Sequence, residues 1–96
     1  MARGRWLIRG YDGVVPTFER GISGSLSESE VTALLQRLVA RHLTEDEIVD
    51  ASLRRNFAGY AAHLEPRRST TGKFAVTIEV GDHVNYIAAF EDFSDT

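Results

Sequence analysis

Imidazoles, carboxylates and guanidinium groups are the side chains of this sequence that could do chemistry, and their spacing restricts what that chemistry is. His42, His63 and His83 stand far apart, with no H-x-H or H-x₃-H spacing and no cysteine to complete a ligand set, so no metal site is expected. His42 falls at the edge of an apolar helix stripe, His63 on the outward face of a strand and His83 in a turn, all structural positions. Nucleophilic catalysis lacks its parts too: there is no cysteine, and no serine lies in a G-x-S-x-G turn. Thr71-Gly72-Lys73 is a fragment of a phosphate loop, but no glycine stands five residues before Gly72, and Phe74 occupies the Ser/Thr position. Glu45, Asp46, Glu47 and Asp50 cluster at a helix start, where the dipole accounts for them without acid–base work. The expectation is a chain that is not an enzyme and carries no cofactor.

Two sets of residues look better suited to binding. If helices cover one side of a sheet, the other side exposes Leu7, Val15, His63, Ala75, Thr77, Ile87 and Ala89 among arginines and threonines. Such a face is too apolar for ordinary solvent surface and too small-chained for a second core. It suits contact with a protein partner or a second copy, through the face or a free strand edge, as a homodimer. The alternative set is Arg54, Arg55, Arg67, Arg68 and Lys73, joined by Arg3, Arg5 and Arg9, with Tyr11 or Tyr60 to stack a base. Converging in space, these would bind single-stranded nucleic acid or another acidic partner.

The elements that must position these residues begin with the clearest segment, Ser27–Leu43. Val31, Leu34, Leu35, Leu38, Val39 and His42 follow helical spacing, and Ser27 with Glu30 forms a capping box. Thr44 and Glu47 form another box, predicting a second, shorter helix to about Asn56. This pair has the outline of a helix-turn-helix, but the second helix would press its acidic start toward phosphates, which argues against reading DNA. The loop Gly21–Ser25 leads into a helix whose first turn holds Glu28 and Glu30, which would repel a bound phosphate.

Alternation of period two predicts strands elsewhere. Arg5–Gly10 and Val14–Ile22 flank a loop at Tyr11-Asp12-Gly13, a register that sets Trp6 opposite Phe18, Ile8 opposite Pro16 and Arg5 opposite Glu19. Pro16 cannot donate a ladder hydrogen bond, so the second strand is expected at an edge, or to end or bulge there. Residues 60–65 alternate as a third strand, joined through Ser69-Thr70-Thr71 to a fourth over residues 73–80. The last hairpin turns at Gly81-Asp82-His83, with Val80 facing Val84, Ile78 facing Tyr86 and Phe74 facing Phe90. The resulting fold class is α+β in the order ββααβββ: about five antiparallel strands, in one sheet or two, with two helices packed on one face.

The 96 residues form one domain over residues 1–90, followed by an acidic tail, 91–96, expected to fray. A net charge of −3 disfavours a protein that coats nucleic acid. No apolar run has the length of a signal peptide or a membrane span, and the chain lacks cysteine, so a cytoplasmic location without membrane contact is expected.

Overall fold

The computed structural model describes residues 4–93. Arg3 of the predicted basic set and residues 94–96 of the predicted tail lie outside the described residues. The element order is β1 (Gly4–Asp12), β2 (Val15–Ser23), α1 (Glu28–Ala40), α2 (Glu45–Ser52), β3 (Arg67–Ser69), β4 (Thr77–Gly81) and β5 (Val84–Asp92). The strands form one antiparallel sheet in the order β2-β1-β5-β4-β3. The α+β class and the ββααβββ order hold, and the choice between one sheet and two is decided for one.

Both capping boxes form. The Ser27 amide donates to the Glu30 carboxylate at 2.9 Å while the Glu30 amide donates to Ser27 Oγ at 3.1 Å, and Thr44 and Glu47 do the same at 2.8 and 3.2 Å. Each box satisfies two amides that a helix start leaves without partners. Val31, Leu35 and Val39, one helical turn apart, are buried to 0, 0 and 2% exposure. They pack on Ile8, Ile78, Val80, Tyr86 and Ala88 of the sheet, and Leu26, Leu34, Leu38 and Leu64 close the margins. Helix α1 lies across β4 and β5, and α2 continues beyond it with no residue fully buried. This second helix ends earlier than its sequence pattern implies, because Leu53 is already extended (φ −73°, ψ 161°).

Three registers differ from expectation. The β1–β2 turn has two residues, Gly13 and Val14, with Gly13 at φ +63°, a conformation glycine adopts freely. Trp6 therefore faces Ile22 instead of Phe18, Ile8 faces Arg20, and Arg9 instead of Arg5 meets Glu19. A bulge beside Tyr11 and Pro16 absorbs Thr17, so the proline sits both on an edge strand and at an irregularity. Trp6 has better partners than Phe18: its indole N–H donates to the Leu26 carbonyl at 3.0 Å, and its ring meets Phe90 edge-on at 5.2 Å.

In the last hairpin Val80 faces Tyr86 and Ile78 faces Ala88, a slide of two residues. Gly81, at φ +107° and buried, turns the chain so closely that a Cβ there would lie 2.4 Å from the Val84 carbonyl oxygen. Both slides are even outside the bulge, so the side chains there keep their expected faces; past the bulge the parity changes, and Val15 and Pro16 change faces.

The third correction concerns residues 60–65, which are not a strand. Pro66 has no N–H to offer, and only Arg67–Ser69 pairs with β4. The backbone upstream bonds to helices instead: the Ala61 amide donates to the Asp50 carbonyl at 3.3 Å, and the Leu64 carbonyl accepts from Gln36 Nε2 at 2.8 Å. Burial here does not alternate either: Leu64 packs against the core, but Ala62 between it and Tyr60 is exposed, and Ala61 and His63 are half-buried. Strand β4 likewise begins at Thr77 instead of Lys73. Strand β5 runs on through Glu91 and Asp92, two residues of the predicted tail, because both pair with β1.

Candidate contact site

The sheet face away from α1 is built from odd-numbered positions of β1 and β5, and its rows can be followed across the strands. Thr77, Ala89, Leu7 and Gly21 form one lateral row from β4 to β2. On one side runs Arg67, Glu79, Ile87, Arg9 and Glu19; on the other, Glu91, Arg5 and Ser23. Charges within these flanking rows pair: Arg5 with Glu91 at 2.7 Å, Arg9 with Glu19 at 3.1 Å and Arg67 with Glu79 at 3.6 Å. The apolar row between them is one residue wide. Leu7 is only 6% exposed and Ala89 7%, because long charged neighbours frame them and leave little apolar surface to offer.

Of the seven residues expected on this face, Leu7, Thr77, Ile87 and Ala89 come together. Val15 does not join them: it lies opposite Asp12 beyond the bulge, at the hairpin tip. Ala75 is in the exposed loop between β3 and β4. His63 is displaced furthest, because the strand expected to carry it does not exist; it stands beside Glu47 of α2 and Asp82 of the β4–β5 turn.

The five basic residues do not converge. Arg67 and Arg68 point to opposite faces, the first donating to the Gly81 carbonyl at 2.6 Å and the second gripping Glu28 of α1 with two hydrogen bonds, 2.7 and 3.1 Å. The Arg68 fork holds the Glu28 carboxyl below the usual carboxylate range. Arg55 pairs with Glu65, whose other oxygen accepts from Tyr60 at 2.7 Å, and that acceptor raises the phenol's pKa. Arg54 lies over the Phe57 ring at 5.3 Å and Lys73 over Phe74 at 5.7 Å.

One gathering was not visible in the sequence. All three histidines meet at the end of the molecule where the two hairpin turns lie. His83 Nε2 is 2.9 Å from Asp12, His63 Nδ1 is 3.4 Å from Asp82, and His42 Nε2 is 3.2 Å from the Tyr86 hydroxyl. The Gly13 amide donates to the His83 carbonyl at 2.7 Å and ties the two turns together. A shallow cavity of about 220 Å³ lies between His42, His63, His83, Glu47 and Asp82, floored by Val39, Leu43 and Val84. The Thr44 amide holds the Glu47 carboxyl low, with a smaller contribution from His63. Among the described residues no group of three or more His, Asp or Glu side chains is arranged to hold a metal ion.

The longer of the two edge strands is β2. All of Val15–Ser23 except Ile22 is exposed, and Val14, Val15 and Phe18 are apolar side chains 92, 59 and 41% exposed. The opposite edge, β3, has three residues. Pro16 pointed to an edge strand from sequence, but the importance of Phe18, Glu19, Arg20 and Ile22 depends on register and was not legible. Among the described residues no helix is long and apolar enough to cross a membrane.

No family model, curated protein or solved structure matches this chain.

Proposed function

We propose that this protein is a small non-enzymatic binding module that acts through protein–protein contact, pairing with a second copy of itself along the β2 edge. The observation that carries this reading is a nine-residue strand at the sheet boundary, exposed at every position but one. A strand of that length presents a row of main-chain donors and acceptors suited to a further strand. Its guards, Pro16 and the bulge at Thr17, lie at one end only, leaving Phe18–Ser23 open. The uncovered sheet face is the weaker candidate, since its apolar row is narrow and closed over by ion pairs. Binding of nucleic acid or another acidic partner through Arg54, Arg55, Arg67, Arg68 and Lys73 is weaker still, because three of the five are engaged by carboxylates of the chain itself.

The test is sedimentation of the protein over a wide concentration range, alone and with Glu19→Pro or Arg20→Pro. Adjacent amides point to opposite sides of a strand, so one of these prolines removes an outward N–H and leaves the β1 ladder intact; thermal melts identify which. The expected result is a concentration-dependent dimer that the better-folded proline variant abolishes. A wild type that stays monomeric, or a dimer indifferent to both prolines, overturns the reading. Salt-sensitive oligonucleotide binding lost in Arg67→Ala would favour the basic set instead.

A further inference from the structure

The geometry points to one register for this pairing, with the two-fold axis passing through Arg20, so that Glu19 of each copy faces Gly21 and the overlying Arg5 guanidinium of the other. The inference rests on the β2 edge reading and specifies the partner surface within it.

Two identical antiparallel strands in one sheet are related by a two-fold axis perpendicular to the sheet. Side chains then keep their faces, and one residue stands opposite its own copy. The regular part of β2 is short: Pro16 has no N–H, Thr17 is the bulged residue, and the strand ends at Ser23. Three central residues allow useful overlap: Glu19, Arg20 and Gly21.

With Glu19 on the axis, two carboxylates meet and Ile22 is paired with Pro16, where the ladder fails. With Gly21 on the axis, Glu19 meets Ser23, Phe18 meets Gly24 and Arg20 meets Ile22, so neither the aromatic ring nor the charges gain a complementary partner.

Centring on Arg20 does better on both faces. On the α1 side Phe18 of each copy meets Ile22 of the other, two apolar cross-strand pairs. Phe18 is 41% exposed and Ile22 half-buried, so both have surface to lose. On the other face Glu19 meets Gly21, and the absence of a side chain there has a visible use. A Cβ on Gly21 would lie 2.8 Å from Arg5 Nη1 and 3.3 Å from Arg5 Cδ. The Arg5 side chain therefore lies over Gly21, with its Nε donating to Glu91 at 2.7 Å. A carboxylate arriving opposite Gly21 meets that guanidinium from the free side. Glu19, held at 3.1 Å by Arg9 and 63% exposed at its side chain, would bridge two arginines. The cost is Arg20 against its own copy, on a part of the sheet that α1, lying over β4 and β5, leaves open to screening solvent.

The chain has no cysteine, so single thiols report the register directly. Opposed residues in an antiparallel pair have Cβ atoms about 4.5–5.5 Å apart and diagonal neighbours roughly 7–8 Å apart, beyond comfortable disulfide reach. Under mild oxidation Arg20→Cys should form the intermolecular disulfide fastest, ahead of Glu19→Cys and Gly21→Cys. In sedimentation, Glu19→Gln and Arg5→Gln should each raise the dimer Kd by roughly 2- to 30-fold, two cross-strand charge pairs being lost, with the double variant no weaker than the worse single one. A dimer that links first through position 19 or 21, or in which the two Gln substitutions act additively, overturns the register while leaving edge pairing in place. A monomeric wild type removes the edge reading beneath it.

Discussion

Leu7→Ala separates a covered sheet face from an open one. Leu7 is 6% exposed although no helix lies over it, and its lateral neighbours, Gly21 and Ala89, contribute almost no side chain. It is thus the largest apolar group in its row, framed by Arg5 with Glu91 and Arg9 with Glu19. Truncating a buried leucine to alanine costs about 2–5 kcal/mol. The surrounding arginines are flexible and will partly collapse into the space, which places the expected cost near the lower end, about 2 kcal/mol. An exposed leucine would cost within about 0.5 kcal/mol. For a domain of this size each kcal/mol lowers Tm by about 4–8 °C, so a fall of about 8–16 °C is expected by calorimetry. The measurement belongs at a protein concentration where wild type is monomeric, so that mass action does not enter. A loss below about 0.5 kcal/mol would refute the covered-face argument and return the face to contention as a binding surface. Dimerisation through β2 should be little changed in the same variant under conditions where it is fully folded. Half-buried Ile87 is consequently the better position for probing contact through the face itself.

Gly10→Ala should destabilise by about 1–3 kcal/mol through overpacking, because its Cβ would lie 2.6 Å from the Tyr86 ring, which His42 and Phe18 also contact; urea unfolding shows it, and Tyr86→Leu should remove most of the penalty. The depressed Glu28 carboxyl stabilises the fold above the ordinary carboxylate range, and that contribution disappears as pH falls through the folded-state pKa. In Arg68→Ala the Glu28 titration, followed by NMR, should move up and this part of the acid dependence should flatten; an unmoved titration would show that the fork is not what holds the carboxyl.

Local signals in this chain carried far. Ser27 with Glu30 and Thr44 with Glu47 named both helix starts, since a cap is a transaction between residues three apart. The apolar spacing of Val31, Leu35 and Val39 named the buried stripe of α1 in the same way. Alternation in β1, β4 and β5 assigned core faces correctly even where the register was off, because the hairpin slides were of even length and parity survives an even slide. The class and the ββααβββ order hold, although the third strand is Arg67–Ser69 and not the segment 60–65 whose alternation suggested it.

Registers and neighbours were decided only in three dimensions. Whether Trp6 packs on Phe18 or Phe90 depends on β5, almost the whole chain away, arriving beside β1 and offering a ring at 5.2 Å. The alternation of residues 60–65 imitates a strand because a local pattern of residue types does not say what takes the backbone bonds; Gln36 and Asp50 of the helices took bonds that a sheet would have used. The histidines, remote in sequence, share one end of the molecule because two hairpin turns and the two helix ends all reach it. Arg54, Arg55, Arg67 and Arg68 disperse because each finds a nearer carboxylate or ring. Local spacing determined which residues form elements and which way they face. Long-range pairing decided which of them meet, because contact between distant segments is set by sheet order and register, which no local pattern encodes.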